Sequence, residues 1–185
     1  MQAVTHMAFG AALAVVLTPR RDEAQPRWRA GRIAAAVVAA ALSHPLLDDL
    51  ARATYHPPNA QLHDPFWLGF HALVAVATVA FAWRFRRHGW FMAASLLPDL
   101  DWVIGRPLGL WSEGSAHAAF RAIPGLSSVS EALRGVVPDL RGGRSGALLE
   151  LGLVALLLAI VWRVGESRLD AERGADEGCV PEPIP

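Results

Sequence analysis

Apolar residues along this chain fall into five blocks, each closed by proline, arginine or a carboxylate. The first is Gln2–Leu17, "QAVTHMAFGAALAVVL", ended by Thr18-Pro19. The second spans Gly31–Leu50 and the third Pro65–Trp83, "PFWLGFHALVAVATVAFAW". The fourth, near Trp90–Ile104, is "WFMAASLLPDLDWVI", and the fifth runs over Gly146–Val164, "GALLELGLVALLLAIVWRV". Their length and apolarity predict membrane helices. Blocks one, two and four are short for a full crossing and carry polar groups, as do membrane segments that line something wet or buried in protein. The fourth also reads as a re-entrant piece. The expected fold is all-α: a polytopic membrane bundle of about five short transmembrane helices, residues 1–164. A long outer connection, 105–145, would interrupt it and hold one short amphipathic helix near Ser128–Val137. Residues 165–185 carry six carboxylates against two arginines, a composition that predicts a disordered acidic tail.

Composition supports this picture. Of 185 residues, 53% are hydrophobic and 18% charged, and the formal net charge is zero, so no global field argues for nucleic acid. The single cysteine, Cys179, excludes an intrachain disulfide. No charged n-region precedes Val4–Leu17, which reads as a retained span. Every lysine-or-arginine position is arginine, and alternating spans put eleven of the seventeen on one side. The positive-inside rule then places the N-terminus outside and the acidic tail in the cytoplasm.

The same alternation gathers the ionisable residues at the opposite, outer end. His6 opens the first block, and His44, Asp48 and Asp49 close the second in "ALSHPLLDD". His71 lies just inside the third block, Asp99 and Asp101 close the fourth, and Glu150 opens the fifth. The outer connections add His56, His63, Asp64 and His117; only His88 falls at the other end. Ionisable groups in membrane segments are expensive and point to function. Mixed imidazole and carboxylate donors are what zinc and similar divalent ions take. His44 and Asp48, four apart, share a helix face, and Pro45 between them frees the carbonyl of Ala41. In "LLPDLDW" the two acids diverge on a regular helix but converge where Pro98 opens a new first turn.

Plainer readings exist for several of these positions. Asp49 reads as the solvated neighbour of Asp48, and Asp64-Pro65 as an ordinary helix start with Asp64 as N-cap. His71 reads equally as a core histidine bonded to a neighbouring helix, His56 as a turn residue facing water, and Glu150 as a charge suited to a helix N-terminus.

The set "TH-M-AFG", "SHPLLDD" and "LLPDLDW" resembles the bacterial membrane-bound metal-dependent hydrolases, the LexA-binding, inner membrane-associated hydrolase family. "SAHAAFR", with His117 and Arg121, is a partial match to a further histidine–arginine element. The resemblance covers roughly the first hundred residues, and it implies His6, His44, Asp48, Asp99 and Asp101 as metal ligands or their neighbours. The expectation is a multi-pass protein of the inner membrane hydrolysing an ester or phosphoester of a lipid-like substrate. His6, His44, Asp48 and Asp99 would hold a divalent ion, zinc by ligand type, which would activate a water. Asp101 would orient a ligand or act as general base. His56, His63, His71, His117 and Glu150 stand as neighbours of that site. Arg106 and Arg121 would neutralise a phosphate, and Trp67, Trp102 and Trp111 would anchor at the interface. The competing readings are a non-catalytic membrane protein with a structural or metal-binding histidine–carboxylate cluster, and an ion or proton transport subunit.

Overall fold

The computed structural model describes residues 1–18, 26–57, 59–105, 107–110 and 115–177. Arg106, Trp111 and residues 178–185, Cys179 among them, lie outside these, as does the side chain of Trp102. Among the described residues run seven α-helices and no strand: α1 (Ala3–Leu17), α2 (Pro26–Leu50), α3 (Pro65–Arg84), α4 (Gly89–Ser95), α5 (Ser115–Arg121), α6 (Leu126–Val136) and α7 (Arg144–Glu177).

Three stretches are long and apolar enough to cross a membrane: 27 residues over Arg27–Ala53, 20 over Pro65–Arg84 and 22 over Arg144–Gly165. The 15-residue α1 is not. At ~1.5 Å per residue it reaches only about 22 Å, short of a hydrocarbon core of about 30 Å. Its place is the centre of the bundle. A helix apolar on every side is buried on every side, and ten of its fifteen residues are buried against α2, α3, α4 and α7.

Two glycines allow the close approaches this needs. A Cβ on Gly10 would stand 2.6 Å from the carbonyl oxygen of Phe91, so α4 lies directly on the α1 backbone. A Cβ on Gly146 would stand 2.7 Å from the backbone of Thr54 and Tyr55, where α7 passes the turn that follows α2. Buried Glu150 then ties α7 to α1: its Oε1 accepts from the Gln2 amide at 2.8 Å and from Thr5 Oγ1 at 2.9 Å. The core among these helices is Val4, Met7, Ala8, Ala11, Phe70, Phe81, Met92, Leu157 and Val161 with their neighbours.

Asp64 caps α3 through the Phe66 amide at 2.9 Å, with Pro65 in the first turn, as its sequence position indicates. The fourth block departs from the expected span. Only Gly89–Ser95 is α-helical; a 3-10 turn, Leu97–Asp99, and a π turn, Asp101–Gly105, follow it. Pro98 is the physical cause, because it has no N–H to give the preceding turn and sits comfortably only in the first turn of a new helix. The backbone beyond Gly165, expected as an unstructured tail, continues as helix to Glu177. The long connection holds the anticipated amphipathic helix as α6 and also a second one, α5.

Candidate metal centre

Three chain segments meet at one end of α1. The last two turns of α2 present His44 and Asp48 on a shared face, and Pro45 between them is buried. The turn after α4 brings Asp99, and α5 brings His117. His44 Nε2 lies 3.3 Å from Asp48 Oδ2 and 3.4 Å from Asp99 Oδ1. His117 Nε2 lies 3.5 Å from Asp48 Oδ2 and 3.6 Å from Asp99 Oδ1. The two Nε2 atoms are 3.3 Å apart. Four donors bound tetrahedrally to zinc at about 2.0–2.1 Å are separated by about 3.3–3.4 Å. Five separations among these four donors fall between 3.3 and 3.6 Å, close to that spacing, and His44, Asp99 and His117 form a triad whose donor atoms all lie within 4.8 Å. Two facing imidazole nitrogens also cannot both be satisfied as lone-pair acceptors without a cation or proton between them.

The atoms behind the donors fix their direction. His44 Nδ1 donates to the carbonyl of Ser95 at 2.7 Å, which leaves the Nε2 lone pair facing the cluster. That carbonyl is available because the Asp99 amide turns to Leu96 instead, at 2.9 Å, in the tighter 3-10 geometry that follows Pro98. The "SLLPD" sequence therefore supplies a ligand, Asp99, and the group that orients another, the Ser95 carbonyl.

His117 is set in the same way by Asp101. The fully buried Asp101 accepts from the Ala116 amide at 2.8 Å, the His117 amide at 3.3 Å and His117 Nδ1 at 3.3 Å. A carboxylate at the start of α5 anchors that short helix and fixes the tautomer of its histidine. Of the two roles the sequence leaves open for Asp101, orienting a ligand is the one this geometry serves. The carboxylates of Asp48 and Asp99 push the His117 imidazole up to about 10.

Buried His6 stacks on His44, ring centroids 4.1 Å apart. Its Nε2 faces Asp48 Oδ1 at 3.4 Å, the oxygen that is not shared with His44 and His117. It therefore grips Asp48 from behind, and it forms with His44 and Asp48 a second donor triad lying within 4.8 Å. His6 Nδ1 is buried without a hydrogen-bond partner.

The other positions divide plainly. Asp49, expected to be solvated, is 3% exposed; it accepts from Ser130 Oγ and, at 2.7 Å, from Arg134 Nε, which docks α6 on α2. Its partners lie some eighty residues away, so nothing local marks it as buried. His71 bonds the Trp67 carbonyl one turn back on its own helix, at 2.8 Å, and stacks on the Trp67 ring. Glu150 is the α1–α7 tie described above. His63 is exposed, and His56 rims the site. The most informative omission from the expected ligand set is His117, placed there only among the neighbours. Its spacing offered a signal: His117 and Arg121 lie four apart, as do Asp48 and Arg52.

An open cavity of about 780 Å³ borders the cluster, lined by Asp48, Asp99, His117, Arg52, His56, Arg121 and Arg141 among others. Its size lies in the range of small-molecule sites. Asp99 and His117 keep part of their surface toward it, at 33% and 14% exposure.

Comparison with protein-family models, curated proteins and solved structures finds no match to this chain.

Proposed function

We propose that the protein is a multi-pass bacterial inner-membrane hydrolase that uses one divalent ion, zinc by donor type, to cleave an ester or phosphoester of a lipid-like substrate. The observation that carries this reading is the convergence of His44, Asp48, Asp99 and His117 through five donor separations of 3.3–3.6 Å, with each imidazole oriented from behind. Three helices long and apolar enough to cross a membrane support membrane residence, and two of them, α3 and α7, carry Leu73, Val76, Val79, Leu148 and Leu156 exposed on their surfaces. A water-facing surface of that kind would be unusual. The arginine distribution supports an orientation with the N-terminus and the metal centre outside. The family resemblance of "SHPLLDD" and "LLPDLDW" points to the same activity.

Two imidazoles and two carboxylates suit zinc. A divalent ion supplies Lewis acidity and an acidified water at such a site. The protein's own part is to hold the donors at fixed spacing, to keep each histidine in the tautomer that offers Nε2, and to open the centre on one side to the cavity. His6 holds Asp48, and Asp101 holds His117.

The test uses the full chain purified in detergent. Hydrolysis of carboxylic-ester or phosphoester probes should vanish on chelation and return with zinc. Bound metal with no turnover on either probe class would instead favour a metal-binding membrane protein without catalysis. Absence of metal would remove the basis of both.

A further inference from the structure

Two helices repeat one arrangement beside the centre. On α2 and its 3-10 extension, the ligand Asp48 is followed four residues later by Arg52. On α5, the ligand His117 is followed four residues later by Arg121. Each arginine therefore stands one turn beyond a ligand on the same face, and both line the 780 Å³ cavity. Arg141 closes the third side. Its loop is pinned to the end of α2 by two backbone hydrogen bonds: the Leu140 amide to the Arg52 carbonyl at 2.6 Å, and the His56 amide to the Arg141 carbonyl at 3.1 Å.

We propose that Arg52 and Arg121, with Arg141 at the rim, form a subsite for a terminal, dianionic phosphate group, so that the substrate is a phosphomonoester held with its phosphate against the metal centre. The inference rests on the hydrolase reading above and narrows its substrate. Charge supports the dianion. Two carboxylates, Asp49 and Asp139, serve four guanidiniums in this region, those of Arg52, Arg121, Arg134 and Arg141. Asp49 is committed to Arg134 at 2.7 Å and reaches Arg121 only at 4.0 Å; Asp139 pairs with Arg141 at 2.6 Å and reaches Arg52 only at 3.9 Å. Among the described residues, Arg52 and Arg121 therefore have no carboxylate closer than 3.9 and 4.0 Å. Hydrogen bonding agrees. Arg52 Nε is buried with no acceptor, while its Nη1 is fixed by the Arg134 carbonyl at 3.0 Å. A buried orphan donor calls for an acceptor, and guanidinium forks match phosphate oxygens.

The phosphate could belong to a lipid headgroup or to a water-soluble monoester, and competition distinguishes them. Inorganic phosphate is titrated calorimetrically into the full-length, detergent-purified protein, with zinc added and after chelation. Phosphatidic acid in micelles and phenyl phosphate then serve as competitors, with a phosphodiester as the control. The expected result is phosphate binding that weakens at least tenfold in both Arg52→Gln and Arg121→Gln while metal content stays that of the parent. Phosphatidic acid or phenyl phosphate should displace phosphate, and the stronger competitor names the source; the diester should compete poorly. Arg121 is partly exposed and only weakly paired, so its variant remains informative if Arg52→Gln fails to fold. Normal metal content with no phosphate binding, with affinity unchanged in Arg121→Gln, or with the diester competing as well as the monoesters overturns the subsite and leaves the metal centre standing. Arginine-dependent phosphate binding in a protein that takes no zinc keeps the subsite and removes the hydrolase reading.

Discussion

His117 Nδ1 and the carboxylate of Asp101 meet at 3.3 Å, with Asp101 buried behind the ring and His117 Nε2 turned to Asp48 and Asp99. This carboxylate–imidazole pair acts on the ion through the ligand. Asp101→Asn should therefore weaken zinc affinity by about 10–100-fold, the usual effect of losing such a partner. Competition with a chromophoric chelator measures it. An unchanged affinity would show that His117 does not depend on Asp101.

Adjacent residues in "DD" should separate cleanly. Asp49→Ala removes the Ser130 and Arg134 bonds and should cost about 1.5–3 kcal/mol of stability, as for hydrogen bonds to a charged group. Its zinc content should stay at the parental level. Asp48→Ala should lose zinc. Thermal denaturation in detergent with parallel elemental analysis reads both.

Gly10→Ala places a methyl group 2.6 Å from the Phe91 carbonyl oxygen. The α1–α4 contact must open, at about 1–3 kcal/mol for an overpacked core. Because α4 leads into the Ser95 and Asp99 turn, a lower melting temperature should come with weaker zinc binding. Gly152→Ala, where an added Cβ meets nothing within 4 Å, should change neither.

Zinc loading should rise with pH. Without the ion, Asp48 and Asp99 hold His117 protonated, with its pKa raised to about 10, and a protonated imidazole cannot donate its Nε2 lone pair. Binding at neutral pH must release that proton. Apparent affinity should then climb roughly tenfold per pH unit for each proton displaced, flattening only as pH approaches 10. Calorimetry in buffers of different ionisation enthalpy counts the protons released, and a count of zero would contradict the assignment of His117.

The helical architecture and most of the cluster were legible in sequence for one reason. Ionisable residues that close apolar spans are conspicuous, and alternation of the spans sends His6, His44, Asp48 and Asp99 to one end. Pro98 likewise announced the new turn that carries Asp99. His117 was less visible because α5 is seven residues long, set in a glycine-rich connection with no apolar periodicity to mark it. The burial of Asp49 was invisible for a different reason. It depends on tertiary partners, Ser130 and Arg134, and in isolation "DD" gives no sign of which acid faces the ligands and which faces α6. The α-helix of the fourth block is shorter than its apolar run, already short for a full crossing, because that run continues through a proline that ends the helix.

His44, Asp48, Asp99 and His117 form a four-donor centre built from two helices and a turn. Elemental analysis of the full chain purified in detergent and equilibrated with zinc tests it most directly, run beside His44→Ala and His117→Ala. The account predicts one zinc per parental chain and near-complete loss from both variants. A parent without stoichiometric metal, or a His117→Ala variant that keeps it with parental affinity, would contradict the account.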